Sequence, residues 1–171
     1  DDRPSALRYP RGEGIGVELP GFGETVPLGR GRMMQEGTDV ALLSLGTRLQ
    51  TCLEAARALE ARGVTVSVAD ARFAKPLDRD LLRRLANSHE VLLTIEEGAS
   101  GGFATQVMHA LSDDGIFDRG FKFRPMILPD RFIDHDTAER QYAEAGLDAN
   151  AIIATAWTAL GRDLREADLR A

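Results

Sequence analysis

The sequence is poor in the features that mark secreted and membrane proteins. It contains one cysteine, Cys52, so no disulfide can form within the chain, and this favours a reducing cytoplasm. No apolar run approaches the roughly 20 residues that span a bilayer, and the charged opening DDRPSALR lacks the hydrophobic region of a signal peptide. These absences favour a soluble cytoplasmic protein.

The chain is also short of positive charge. Lysine and arginine number 21 against 27 aspartates and glutamates, which gives a formal net charge of -6, and the basic residues form no stripe. Nucleic acids and anionic membranes attract proteins through basic surfaces. The charge balance therefore disfavours both as partners.

What the sequence does contain is the composition of one folded domain, with 43% hydrophobic and 28% charged residues over a length of 171. Short apolar runs alternate with segments of helical periodicity, which predicts an α/β fold: a mainly parallel sheet covered by helices on both faces. The predicted strands are Arg30 to Gln35, Val40 to Leu45, Val64 to Asp70, Val91 to Ile95 and Phe123 to Leu128.

Terminal residues predict where the helices begin. Thr47 could cap the first helix, which carries Cys52 on its apolar side and so marks this cysteine as a core residue rather than a nucleophile. Asp78 is expected to cap the second helix and Asp148 the last.

Composition divides the chain into four parts. Residues 30–161 form the α/β domain, the stretch 19–29 is rich in glycine and proline as linkers are, residues 1–18 precede it, and residues 162–171 form a charged tail. The chain starts with Asp1 rather than methionine and enters a strand-like motif within a few residues. We therefore expect it to be a fragment.

Ligands of open α/β sheets bind beyond the carboxyl ends of the strands. The loop EEGASGGF is the most suggestive candidate there, because Gly101 and Gly102 precede a helix whose free amides attract anions. It lacks the lysine and hydroxyl of a P-loop, so a structural turn is the alternative. Glu96 and Glu97 could act as general acid and base, but strand neighbours point in different directions, and capping or subunit contact is the alternative.

The loop after the last predicted strand holds the one cluster with the composition of a metal site or an acid–base pair: Asp130, Asp134, His135 and Asp136. A carboxylate beside a histidine can orient the imidazole for proton transfer. The alternative is a polar loop whose aspartates form turns and cap the following helix. His89 and His109 lack an identifiable ligand set and are expected to be structural.

The segment RYPRG near the start raises a similar choice. A guanidinium holds a phosphate or carboxylate with two parallel hydrogen bonds, so its arginines could bind an anion. A turn is the alternative. The glycines that follow, Gly12, Gly14 and Gly16, have dinucleotide-loop spacing without the strand and helix that such a loop requires.

The succession of motifs is more informative than any one of them. The chain contains, in order, RYPRGEGIGVELP, GTDVALLSLGTRL, VADARFAKPLD, TIEEGASGGF, LPDRFIDHDT and AEAGLDANAI. This order resembles the C-terminal part of the 1-deoxy-D-xylulose-5-phosphate synthases, thiamine diphosphate enzymes of the transketolase superfamily. The resemblance implies that residues 1–18 close a pyrimidine-binding domain and that residues 30–161 are a transketolase C-terminal domain.

The resemblance also implies an activity. Members of the family condense pyruvate with glyceraldehyde 3-phosphate, with loss of carbon dioxide, as cytoplasmic homodimers that use thiamine diphosphate and magnesium; the product feeds isoprenoid and thiamine synthesis. Arg11, the second arginine of the YPRG motif, would bind the phosphate of the aldehyde, and Arg8 would support the loop. The catalytic, cofactor-binding and metal-binding residues belong to earlier domains, so this chain is expected to be inactive by itself and to contribute Arg11, dimer contacts and structural support.

Two alternatives stay open. The C-terminal domain of a 2-oxo acid dehydrogenase β-subunit shares the architecture and similar glutamate and glycine signals, although DARFAKPLD and LPDRFIDH point away from it. A noncatalytic α/β module that binds a partner protein or a regulatory small molecule is the second. The LPDRFIDHD loop fits a family loop near the subunit interface, which favours a structural role for His135.

Overall fold

The computed structural model describes residues 4–7, 9, 14, 16–18 and 21–162. Five strands form one sheet in the order β1-β3-β2-β4-β5. The strands are β1 (Arg32–Gln35), β2 (Val40–Ser44), β3 (Val66–Asp70), β4 (Val91–Ile95) and β5 (Lys122–Met126). Strand β1 runs antiparallel to β3, and every other neighbouring pair is parallel.

Helices cover both faces of this sheet, which confirms the predicted fold class. They are α1 (Leu49–Glu60), α2 (Arg79–Ser88), α3 (Phe103–Asp113), α4 (Ala138–Ala145) and α5 (Ala149–Ala159). Helices α1 and α5 pack against one face, while α2 and α3 pack against the other. Within the described residues, no helix combines the length and apolarity needed to cross a bilayer.

The central strands explain the uninterrupted apolar runs of the sequence. Every residue of β2 and β4 is buried, because helices cover both of their faces. Val40 and Leu42 contribute to the core under α1 and α5, whereas Ala41 and Leu43 contribute to the core under α2 and α3. Alternate side chains of one strand thus stabilise two separate hydrophobic layers.

Most predictions of local structure are confirmed. Asp78 accepts a hydrogen bond from the Leu81 amide at 3.0 Å, and Asp148 accepts one from the Ala151 amide at 2.8 Å, so both aspartates cap their helices. Cys52 is fully buried in the core, and this burial raises the pKa of its thiol to about 12. A thiol in that environment stays protonated and is no nucleophile.

The prediction that Thr47 caps the first helix is wrong. Residues Gly46–Arg48 form a 3₁₀ turn before α1, and neither this turn nor α1 has a side-chain cap. The Thr47 hydroxyl donates instead to the carboxylate of Glu97 in a neighbouring loop. A charged carboxylate makes a stronger hydrogen bond than a neutral backbone group. The Thr47 hydroxyl therefore binds Glu97 rather than a backbone group of α1.

Strands β1 and β3 each begin two residues later than the sequence predicts. β1 begins at Arg32 because the Gly31 amide donates to the Asp78 carboxylate at 3.0 Å rather than to the sheet. β3 begins at Val66 because the Val64 amide donates to the Leu59 carbonyl and closes the end of α1. Both residues lie beside the sheet without extending its ladder.

Candidate functional site

The strand order creates one topological switch point, between β2 and β4. From β2 the chain crosses to β3 on one side, and it later returns to β4 on the other side. The loops that follow β2 and β4 therefore border the crevice in which open α/β sheets bind ligands. The β2 loop contributes Thr47 and Arg48 to this place, and the β4 loop contributes Glu96 and Glu97.

Glu96 turns toward the face that α3 covers, and its side chain is bound there. The residue is only 4% exposed. Its two carboxylate oxygens accept hydrogen bonds from the backbone amides of Phe103, at 3.0 Å, and Ala104, at 2.7 Å. These are free amides of the first turn of α3, where a helix favours negative charge. The capping interpretation of Glu96 is confirmed.

The glycines of EEGASGGF make room for this carboxylate. A Cβ atom on Gly102 would lie 2.8 Å from Glu96 Oε2, and a Cβ atom on Gly98 would overlap the same oxygen. A side chain at either position would therefore displace the Glu96 carboxylate from its place against α3. The structural-turn interpretation accounts for the loop, because the anion at this helix N-terminus belongs to the protein itself.

Glu97 turns toward the opposite face and collects three donors on one oxygen. Its Oε1 accepts from Arg48 Nε at 3.0 Å, from the Tyr142 hydroxyl at 2.7 Å and from the Thr47 hydroxyl. The Arg48 guanidinium carbon also lies 3.4 Å from the centroid of the Tyr142 ring, within the range of a cation–π contact. The cluster joins the loop after β2, the end of β4 and helix α4.

The electrostatics of the cluster keep Glu97 ionised. Burial raises the pKa of its carboxyl, but hydrogen bonds from Thr47 and Tyr142 and the charge of Arg48 outweigh burial, and the pKa falls below its ordinary value. Burial and the neighbouring carboxylate raise the pKa of Tyr142. Near neutral pH, Glu97 is thus ionised with its Oε1 bound by three donors, and Tyr142 is a protonated donor, so neither is poised to exchange a proton.

Comparison with known proteins places this arrangement in a family. Residues 29–152 match the family model described as the C-terminal domain of transketolase. The chain belongs to the transketolase C-terminal domain family. A solved structure described as a split gene transketolase, an inactive beta4 tetramer, is 31% identical with a TM-score of 0.72. The match covers 80% of this chain and 44% of that one, so the chain spans less than half the length of that relative.

The aspartates and histidine of the 130–136 loop do not converge in this transketolase C-terminal domain. Asp136 accepts a hydrogen bond from the Thr137 amide at 2.7 Å, Thr137 caps α4, and His135 is exposed. In the part of the chain that the structure describes, no three histidine, cysteine, aspartate or glutamate side chains are grouped so that they could hold a metal ion. The interpretation as a polar loop that leads into a helix fits this geometry.

The other histidine predictions concern α2 and α3. His89 has Nδ1 2.9 Å from the Leu85 carbonyl, and its Nε2 lies 3.0 Å from the Gly37 carbonyl and 2.9 Å from the Ser67 hydroxyl. It joins the end of α2 to the sheet, which confirms a structural role. His109 is exposed on α3.

The predictions for the RYPRG segment stay predictions. Arg8, Arg11 and Gly12 lie outside the described residues, while Gly14 and Gly16 are described and belong to no helix or strand. Nothing in the geometry tests the phosphate role of Arg11.

The structure adds two residues that sequence reasoning missed. Tyr142 completes the Glu97 cluster from α4, and no local sequence pattern indicates that contact. Arg72 follows β3 with a φ of 57°, and it is the one non-glycine residue with a positive φ in the described ranges. Such a backbone costs about 1 kcal/mol in an arginine, and strain of this kind concentrates at functional sites. The DARF motif was visible in the sequence, but its backbone conformation was not.

Replacement of Glu96 tests the internal capping of α3. We expect Glu96→Ala to lower the free energy of unfolding by about 2–3 kcal/mol, because it leaves two buried amides without their charged acceptor. Urea denaturation followed by Trp157 fluorescence measures this loss. Glu54→Ala, on the exposed face of α1, is the matched control and should change stability by less than about 0.5 kcal/mol. Equal effects of the two variants would contradict the role of Glu96.

The Glu97 cluster predicts a pH-dependent stability. Because the pKa of Glu97 is lowered on folding from its ordinary 4.5, its contribution is fully present above that value and is lost as the pH falls through the lowered pKa. Glu97→Gln should therefore be less stable than the wild type at pH 7, and the difference should narrow in acid. Urea titrations at several pH values between 7 and 3 measure this difference in the free energy of unfolding. A stability difference that stays constant over this range would show that ionisation of Glu97 does not contribute to stability.

Proposed function

We propose that this chain is the C-terminal part of a thiamine diphosphate-dependent synthase that joins pyruvate to glyceraldehyde 3-phosphate with release of carbon dioxide. Membership of the transketolase C-terminal domain family and the order of the sequence motifs support this proposal. In it, residues 1–18 close the preceding domain and residues 19–29 connect the two. The chain contributes structural support, dimer contacts and one arginine that binds substrate.

The observation that carries the supporting role is that both glutamates at the crevice are held by the chain's own donors. Glu96 is held by α3, and Glu97 is held by Thr47, Arg48 and Tyr142. At the crevice, the described residues thus fill the N-terminus of α3 with Glu96 and engage Glu97 Oε1 with three donors. They do not fit thiamine diphosphate or magnesium. In the proposal these groups belong to preceding domains, and this chain alone is inactive.

Arg11 is the residue that we propose to touch substrate. The phosphate of glyceraldehyde 3-phosphate is remote from the reacting carbonyl, and a guanidinium that holds it can position the carbonyl for reaction. The strained Arg72 is a second candidate from the structure. It follows β3 at the carboxyl edge of the sheet, and its guanidinium is only loosely paired, with Nε 3.9 Å from Asp70 Oδ2.

Exposed apolar side chains support contacts with the rest of a larger assembly. Phe132 is fully exposed, Phe22 is 92% exposed and Leu28 is 76% exposed. Large exposed apolar side chains are enriched at interaction surfaces. We propose that they contact the preceding domains or a second subunit of a homodimer. The similar structure described as a tetramer is consistent with self-association in this family.

A second candidate activity follows from that same relative. Transketolases move a two-carbon unit between sugar phosphates, and the similar structure is described as a transketolase. A 2-oxo acid dehydrogenase β-subunit and a noncatalytic binding module are the remaining alternatives. These proposals differ in whether the carbon–carbon bond that is cleaved belongs to pyruvate, to a ketose phosphate or to neither.

The test is carbon dioxide release from pyruvate by the full reading frame, with thiamine diphosphate, magnesium and varied glyceraldehyde 3-phosphate. We expect the aldehyde to stimulate release. Arg11→Ala should lower kcat/KM for the aldehyde by about 10- to 100-fold, because one charged phosphate contact is lost, while saturation by pyruvate is unchanged. Arg57→Ala, an exposed arginine on α1, is the matched control and should behave as the wild type.

Each proposal has an outcome that contradicts it. If pyruvate is not decarboxylated but a ketose phosphate donates two carbons, the enzyme is a transketolase and the synthase proposal is wrong. If neither reaction occurs, a noncatalytic module becomes the better account. Turnover by residues 1–171 alone would contradict the supporting role of this chain.

A further inference from the structure

Residues 129–146, which we call the strap, are held firmly only at their ends. Before the strap, the Leu128 amide donates to the Gly98 carbonyl at 2.9 Å; after it, Leu147 is fully buried in the core. Between these anchors, no residue of α4 is buried, and Phe132 is fully exposed. A segment with so little buried surface gains little stability from packing.

The strap is tied to itself. Arg131 Nη1 lies 2.9 Å from Glu144 Oε1, and Arg131 Nη2 donates to the Glu144 carbonyl at 3.3 Å. The side-chain amide of Gln141 donates from Nε2 to the Asp134 carbonyl at 2.9 Å. These bonds connect the loop of the strap to α4, so the segment keeps its own shape when its contacts with the sheet are lost.

One side-chain hydrogen bond joins the strap to the rest of the described chain. It runs from the Tyr142 hydroxyl to Glu97 at 2.7 Å, and the Tyr142 ring covers Arg48. Tyr142 and Ala145 also pack partly against the core. A cavity of about 200 Å³ lies between the loop of the strap and α4, lined by Leu128, Ile133, Ala138, Gln141 and Tyr142. Tyr142 thus makes the one side-chain hydrogen bond and part of the apolar contact that attach the strap to the rest of the described chain.

We propose that Tyr142 is a latch, and that the strap opens as a unit while the sheet remains folded. The contact of Tyr142 with Glu97 and Arg48 sets how often the strap opens. Opening uncovers both charged side chains at the switch point and displaces Phe132 with the strap. This inference stands on the geometry alone and does not depend on the proposed function.

Amide hydrogen exchange on the full chain tests the latch. Tyr142→Phe keeps the aromatic ring and removes only the hydroxyl that donates to Glu97. We expect the amides of α4 to exchange about tenfold faster or more in this variant, because a hydrogen bond to a charged group is lost, while the amides of β2 and β4 are unaffected. Tyr9→Phe is the matched control: it makes the same chemical change at the other tyrosine, which is 82% exposed, and should alter nothing.

The proposal is overturned if Tyr142→Phe leaves exchange in α4 unchanged, or if it accelerates exchange in β2 and β4 to the same extent. A second measurement needs no variant. In low urea, exchange in α4 should depend weakly on urea, since local opening exposes little surface, whereas exchange in β4 should depend steeply on it. Equal urea dependence would mean that the strap opens only when the whole domain unfolds.

Discussion

Two carboxylates directly follow strand β4 and leave the sheet in opposite directions, and the architecture around the crevice depends on them. Glu96 binds the first amides of α3 on one face. Glu97 binds the loop after β2 and helix α4 on the other, through Thr47, Arg48 and Tyr142. Because side chains alternate along a strand, one pair of adjacent glutamates secures both faces of the sheet at a single point.

This arrangement changes what the helix N-terminus at the crevice binds. In many α/β proteins, helix N-termini at the carboxyl edge of the sheet stay open and receive the phosphates of a ligand. Here the protein supplies the negative charge itself, and its glycines let the Glu96 carboxylate approach rather than a ligand. The transketolase C-terminal domain therefore keeps a ligand-binding topology but uses it for stability. A supporting role within a larger thiamine enzyme is consistent with this use.

The parts of the fold that were predictable depend on local physics. Buried strands and helix caps are determined by short runs of neighbouring residues, so β2, β4 and the caps at Asp78 and Asp148 could be predicted from the sequence. The Glu97 cluster could not be predicted in this way, because Thr47 and Tyr142 lie 50 and 45 residues from Glu97 in the sequence. Thr47 shows the limit most clearly: as a local signal it predicts a cap, but a distant carboxylate competes for its hydroxyl. The backbone of Arg72 is likewise a consequence of tertiary context.

The central claim is that the N-terminus of α3, at the switch point, is occupied by the chain's own Glu96 carboxylate. The most direct measurement is an NMR titration of the isotopically labelled chain with inorganic pyrophosphate, and then with thiamine diphosphate and magnesium. The account predicts no saturable shift for the amides of Phe103 and Ala104. Saturable shifts at these amides would show an open anion site and would contradict the claim.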